Sequence, residues 1–375
     1  MSRVLLVMLL GGCGRLAFDL GAAEDEDLLE LSIRGHHACI REGGTISCWG
    51  KNHTGQLGRG TTSPFEGPAN AFEGAQRVFT GENSTFSVDI DGRLWGWGDN
   101  RLGQLGLGTT TNAESEPRMV MLDRDVVEVG AGELHTCAVT EDGEVYCWGD
   151  NTCGKLGDGT NTSRPYPQRV AGLPRIVGVE VNDLLTCAID TTGQVWCFGA
   201  PSNAPAPCSG GELVPVAIPE LAGARALGGG CHLSMCAIDS GGTPRCWGEN
   251  VAGVLGSLNS TEARPAPVRG LARAEKIATG FISSCAAGDD RFYCWGANGM
   301  GQLGIDMPAI TQSNDAVEVT ALAGMEIDDI EVGCTTTCIR SGADVYCWGG
   351  NEDGELADGT QLPEFAPRLV LTLMP

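Results

Sequence analysis

Apolar and polar residues alternate along this chain in short bursts, broken by glycine, asparagine and proline. Between residues 126 and 172, VVEVG (126–130), HTCAV (135–139), EVYCW (144–148) and QRVAG (168–172) each read as a strand, since successive side chains of a pleated strand point to opposite faces. No window sustains the 3.6-residue apolar period of an amphipathic helix, so helices are not expected.

The pattern returns along the chain. Trp49-Gly50, Trp97-Gly98, Trp148-Gly149, Phe198-Gly199, Trp247-Gly248, Trp295-Gly296 and Trp348-Gly349 follow at intervals of 48, 51, 50, 49, 48 and 53 residues. Behind six of the seven stands N-x-x-G-x-L-[GA], beginning at Asn52, Asn100, Asn151, Asn250, Asn298 and Asn351, and the fourth unit lacks it. Four strands per unit and seven units predict an all-β fold, a seven-bladed β-propeller of four-stranded antiparallel blades, forming one domain over residues 28–375. DLLELSIRGHHAC from Asp27 aligns with DVVEVGAGELHTC from Asp125, and Pro367 to Leu371 matches the strand that follows each loop. A blade completed by both termini is therefore expected, which would leave the ring without an exposed edge.

The Trp-Gly followed by N-x-x-G-Q-L-G, with GELHT at Gly132 to Thr136, resembles the repeat of the regulator of chromosome condensation family over roughly residues 28 to 373. The resemblance implies that family's seven-bladed propeller. The family histidine stands at His37 and His135, where its expected role is a hydrogen bond between blades, and other units carry serine, threonine or leucine. The family's best-known role, nucleotide exchange on a nuclear GTPase together with chromatin docking, conflicts with the N-terminus and the cysteines described below. The resemblance is therefore taken for fold and not for function.

Cysteines recur at matched positions as pairs: Cys39 and Cys48, Cys137 and Cys147, Cys187 and Cys197, Cys236 and Cys246, Cys285 and Cys294, Cys338 and Cys347. Opposed residues of a hairpin share a midpoint, so each pair dictates its own turn. Pairs nine apart need two-residue loops, here Gly43-Gly44, Asp289-Asp290 and Gly342-Ala343; Gly-Gly suits type I′, Gly-Ala suits II′, and Asp-Asp is a weaker choice. Pairs ten apart need three-residue loops closing on a left-handed glycine, and Glu141-Asp142-Gly143, Thr191-Thr192-Gly193 and Ser240-Gly241-Gly242 all end that way. Opposed Cα atoms, about 4.5 to 5.5 Å apart, are within reach of a disulfide. The pairs thus read as cross-strand disulfides, each restricting the unfolded chain by roughly 2–3 kcal/mol.

In the second unit Phe86 and Gly96 hold the equivalent positions, where an aromatic ring can cover an opposed glycine. Zinc knuckles gather four ligands from cysteines two to four apart, which two per blade do not supply, so neither a metal nor a cofactor is expected. Cys153, Cys208, Cys231 and Cys334 allow three connectivities; 153 with 208 and 231 with 334 is favoured, with 208 to 231 as the rival. Asp89-x-Asp91-Gly92 resembles the opening of a calcium loop but lacks its remainder, and reads as a hairpin turn.

Composition moves this scaffold out of the cytoplasm. Seventeen cysteines suit an oxidising compartment. Residues 1–13, MSRVLLVMLLGGC, carry Arg3 and a short apolar run and read as a signal peptide. Leu10-Gly11-Gly12-Cys13 resembles the lipobox of bacterial lipoproteins, which implies lipid attachment at Cys13, with 14–27 as an acidic tether. A formal net charge of −24 disfavours phosphate backbones and favours basic partners.

No catalytic constellation such as G-x-S-x-G is present, and the expected role is a non-enzymatic, membrane-anchored, monomeric binder of a protein or envelope component outside the cytoplasm. The alternatives are an inhibitor of a secreted enzyme, a role filled in this fold by a β-lactamase-inhibiting propeller, and a carbohydrate-active enzyme, which would need paired carboxylates. Departures from the repeat supply the candidate contacts: Asn203, Pro205 and Pro207 in the stretch replacing the fourth motif, and Phe65 and Phe72 on what reads as a long loop from Ser63.

Overall fold

The computed structural model describes residues 29–200, 208, 211–305 and 310–372, together with the backbone of two short strands, Leu9–Leu10 and Leu16–Ala17. Cys13, most of the expected leader and tether, and Asn203, Pro205 and Pro207 lie outside the described residues.

Each blade is four consecutive strands in meander order. Blade 1 runs Glu30–Arg34, His37–Glu42, Thr45–Lys51 and Phe65–Glu73; blade 3 runs Val126–Ala131, His135–Thr140, Val145–Gly149 and Arg164–Arg169; blade 7 runs Asp329–Val332, Thr336–Ser341, Asp344–Gly349 and Glu364–Thr372. The first strands of neighbouring blades pack against one another all round the axis, that of blade 7 against that of blade 1. Fourth strands form the rim, with side chains exposed along much of their length. In an up-and-down sheet the turn from first to second strand and the loop from third to fourth therefore open on one face, here called the upper face. Among the described residues helix is limited to four three-residue 3-10 turns.

Register in the hairpins follows the turn chemistry. Gly43, Gly44, Asp289 and Asp290 all have φ between 52° and 79°, as type I′ demands, while Gly143, Gly193 and Gly242 close their three-residue turns at φ of 80° to 86°. Cys137 lies opposite Cys147, and bonds from Thr140 N to Glu144 O and from Asp150 N to Leu134 O fix the alternation along the ladder. The cysteines therefore fall on a non-hydrogen-bonded pair, the closer of the two pair types. The six hairpin disulfides have Cα separations of 4.0–4.1 Å. In blade 2 Phe86 faces Gly96, and a Cβ there would stand 2.9 Å from the ring.

Two expectations are corrected. No blade is shared between the termini: blade 1 is continuous from 30 to 73 and blade 7 from 329 to 372. Among the described residues each of the seven four-stranded sheets is built from four consecutive strands, so neither terminus adds a strand to the other's blade. The ring closes by packing instead, Leu31, Ile33 and Trp49 of blade 1 against Val345, Leu356 and the Cys338–Cys347 pair of blade 7. The supposed loop from Ser63 is the fourth strand of blade 1, paired to the third from Lys51↔Phe65 to Thr45↔Glu73.

In the six units that carry it, the N-x-x-G-x-L-G motif is what joins blade to blade. Its asparagine accepts the leucine N–H five residues on, as Leu105 N to Asn100 Oδ1 at 3.1 Å, closing the loop on itself. The carbonyl before that leucine then faces the next blade: Gln104 O accepts Trp148 Nε1 at 2.8 Å and Thr136 Oγ1 at 2.9 Å. A Cβ on the last motif glycine, Gly106 at φ +72°, would stand 2.9 Å from Trp148 Nε1, so the indole lies flat only over glycine. His37 and His135 add the expected bonds between blades, Nε2 to Thr85 Oγ1 and to Thr186 Oγ1, both at 2.8 Å. Burial holds His37 down to about 3 and His135 well below the usual imidazole value, so both are neutral.

Candidate functional site at the upper mouth of the channel

Seven first-to-second-strand turns converge on the axis at the upper face, and they approach closely. A Cβ on Gly35, at φ +61°, would run into Glu82 O of the next blade. Ring geometry thereby gathers residues some fifty positions apart: Glu82, Glu133 and Asp183, from the turns of blades 2, 3 and 4, bring carboxylate oxygens within 4.8 Å of one another. Like charges so close, partly removed from water, relieve repulsion by holding a proton. Burial, with Cys231, Glu133 and Asp183 as negative neighbours, pushes Glu82 up to about 9, and burial raises Asp183 as well.

Arg34 forms the floor. From blade 1 its Nη2 crosses the channel to Val181 O of blade 4 and to Gly230 O of blade 5 at 2.8 Å, while Nη1 stands 3.8 Å from Glu180. Burial nonetheless drives Glu180 upward. Elsewhere along the inner wall Arg77 of blade 2 bridges Glu30 of blade 1 at 2.8 Å and Glu128 of blade 3 at 3.4 Å, so the charged lining ties blades together. Lys155, almost fully buried, pairs with Asp150 at 2.6 Å and donates to Asp183 O at 2.9 Å.

A second cluster lies on the same face at the junction of blades 7 and 1. His36 Nδ1 is 3.0 Å from Glu355 Oε1 and 3.9 Å from Asp353 Oδ2. The hydrogen bond to Glu355 raises the His36 pKa, and burial raises that of Asp353. His36, Asp353 and Glu355 also satisfy the spacing of metal ligands, as does the carboxylate trio, and in the first cluster His36 Nδ1 is already bonded to Glu355.

The sequence-based candidates separate here. Phe65 is 44 % exposed at the start of its strand, near the upper face. Phe72 is not free: its ring lies 5.5 Å from Trp95 and 6.0 Å from Trp97 of blade 2, so its area is spent between blades. Cys153 of blade 3 is bonded to Cys208, which excludes the 208–231 rival and ties blade 3 to the chain leaving the third strand of blade 4. Cys231 and Cys334 are buried thiols, not a disulfide. Asp89 Oδ1 accepts from Asp91 N and Arg93 N at 2.9 and 3.0 Å and Oδ2 from Trp95 Nε1 at 2.9 Å, the hairpin turn expected of it. Sequence reasoning missed the trio at the mouth, although GENST, GELHT and NDLLT carry an acidic residue at one repeat position.

Seven blades, six of them followed by the motif loop, define the class, a seven-bladed propeller that carries regulator of chromosome condensation repeats. The sequence model described as "Regulator of chromosome condensation (RCC1) repeat" matches residues 91–139 and 142–189, and a second model of the same repeat matches 126–155. The chain is 30 % identical over 378 residues to the E3 ubiquitin-protein ligase HERC2 of Homo sapiens, covering 93 % of this chain but spanning only 8 % of that protein's length. It is 26 % identical over 388 residues to the ultraviolet-B receptor UVR8 of Arabidopsis thaliana, covering 96 % of this chain and 85 % of that one. The crystal structure of Prp20p from Saccharomyces cerevisiae, described with its binding to Gsp1p and histones, superposes with a TM-score of 0.73 at 19 % identity, covering 92 % of this chain and 88 % of that one.

Proposed function

We propose that this chain is a non-enzymatic binding propeller that presents its upper face to a protein partner. The observation that carries the reading is where departures from the repeat fall. Five of the seams between blades reuse the tryptophan-to-carbonyl bond, whereas the Cys153–Cys208 link and the acidic turns of blades 2 to 4 are particular to their units and lie on one face. Loops that differ on a rigid scaffold are where recognition is ordinarily built. A net charge of −24 selects a basic partner surface and works against nucleic acid. Prp20p, described as binding Gsp1p and histones, is a precedent for protein binding on this fold.

The disulfides favour an oxidising compartment, and the lipobox-like segment favours attachment through Cys13; both belong to this proposal. Affinity capture from envelope extracts tests the face. The intact chain, a Glu133→Gln/Asp183→Asn variant of the upper face and an Ile90→Ser/Asp91→Asn variant of the opposite face are compared. Partners lost only with the upper variant are expected; partners retained by it, or lost only with the lower one, would refute the assignment. Incorporation of labelled palmitate, abolished by Cys13→Ala, tests the anchor.

A further inference from the structure

Cys231 and Cys334 occupy equivalent turns of blades 5 and 7, each directly after a turn glycine. The turn of blade 6 is pressed between them: a Cβ on Gly230 would lie 2.7 Å from Gly280 O, and one on Gly280 would collide with Gly333 O. Across this narrow step the two thiols come within reach of one another, and that of Cys334 favours the ionised form of Cys231. Cys334 N donates to Gly35 O at 3.0 Å, which holds the blade 7 turn against blade 1. Both side chains are buried, and they are the only unbonded cysteines among the described residues.

Their setting differs from that of the other pairs. A hairpin disulfide joins residues already opposed in one sheet, whereas Cys231 and Cys334 belong to blades that are not neighbours and approach only when blades 5, 6 and 7 are stacked. The surroundings also favour a thiolate at Cys231: the S–H of Cys334, the Arg34 guanidinium and the Gly35 N–H act together against burial and lower its pKa to about 6. That is the environment of a thiol that reacts, placed beside one able to resolve it.

We propose that Cys231 and Cys334 form a redox-active dithiol which closes and reopens an eighth disulfide, tying blade 5 to blade 7 at the channel mouth. The oxidant is hydrogen peroxide, small enough for a buried pair. The Cys231 thiolate attacks one peroxide oxygen, the O–O bond breaks, and a sulfenic acid and hydroxide result. The Cys334 sulfur then displaces the sulfenic oxygen as a second hydroxide, forming the S–S bond. The two hydroxides take up the two thiol protons, so two thiols and one peroxide yield one disulfide and two waters. Reduction needs two molecules of a low-molecular-weight thiol, which leave joined as their own disulfide. This device is independent of the partner proposed above.

Full-length protein is treated with hydrogen peroxide and then with graded reduced glutathione; at each step it is acid-quenched, unfolded, alkylated and mapped by mass spectrometry. Expected are a 231–334 cross-linked peptide after peroxide and alkylation of both residues after glutathione, at concentrations that leave the other seven disulfides closed. Material isolated with the bond closed enters the same cycle at the glutathione step. The Cys334→Ser variant should stop at a sulfenic acid on Cys231 that dimedone captures. Absence of the cross-linked peptide after peroxide, or a bond that opens only together with the hairpin disulfides, would overturn the proposal; the wild-type measurement decides this even if the variant does not fold.

Discussion

The seam between blades 2 and 3 and the seam that closes the ring, between blades 7 and 1, are built to one plan with different parts. In the first, Gln104 O accepts both Trp148 Nε1 and Thr136 Oγ1, and Gln104 Nε2 donates to Glu133 O at 3.2 Å. In the second, Glu355 O accepts Trp49 Nε1 at 2.8 Å, but the second-strand residue is Ala38, which has no hydroxyl to offer. Glu355 stands where glutamine would, and its carboxylate needs a donor in place of an amide, which His36 supplies. Ala357 at φ 52° takes the place of the left-handed glycine. A seam between consecutive blades is helped by chain continuity; the closing seam lacks that help and rests on fewer neutral hydrogen bonds plus one ionic cluster. Repetition thus fixes geometry without fixing chemistry, and the closing seam is where pH can act.

Replacing the shared tryptophan gives the largest expected effect. Trp148→Ala should cost about 3–5 kcal/mol of unfolding free energy in urea titrations. Trp49→Ala should cost less, since its seam has fewer neutral hydrogen bonds to lose, and equal losses would erase the distinction between the seams. Next comes the clip within a blade: Cys137→Ala with Cys147→Ala should cost about 2–3 kcal/mol, measured by the same titration.

Backbone handedness gives a sharper contrast, because the sign reverses. Gly106→Ala puts a Cβ on a left-handed residue beneath Trp148 and should destabilise by about 1–2 kcal/mol or more, whereas Ala357→Gly should stabilise by up to about 1 kcal/mol. Thermal midpoints of the two single variants check this, and shifts of the same sign would contradict it.

The smallest effect is pH dependence. The His36 pKa is raised in the folded state above 6.5, so its stabilisation is full below pH 6.5 and is lost as pH rises through the folded value. Buried His37 is depressed to about 3, so its contribution has the opposite slope, full above pH 6.5 and falling as pH drops toward 3. Glu355→Gln should flatten the decline of the thermal midpoint above pH 6.5 and leave the acid limb unchanged. A variant whose alkaline decline matches that of the parent would remove His36–Glu355 from the account.

Local pattern made much of this architecture legible. Strand alternation, the spacing of Trp-Gly and the residues Gly43-Gly44, Gly143 and Gly193 specify blades and hairpin register, because turn type and pleat act over a few residues. The partnership of Phe86 with Gly96 was readable for the same reason. What escaped depends on the closed ring. Glu82, Glu133 and Asp183 are neighbours only because three turns meet at an axis, and Arg34 reaches blades 4 and 5 only across a channel that no single unit contains. Phe72 misled in the same way: an aromatic in a divergent stretch reads as an exposed anchor until the tryptophans of the next blade are placed beside it.

Peptide mapping of purified, unreduced protein tests the central claim most directly. The account predicts six cross-linked hairpins, 39–48, 137–147, 187–197, 236–246, 285–294 and 338–347, together with 153–208. Finding those fourteen sulfurs alkylatable without reduction, or linked in another pattern, would contradict it.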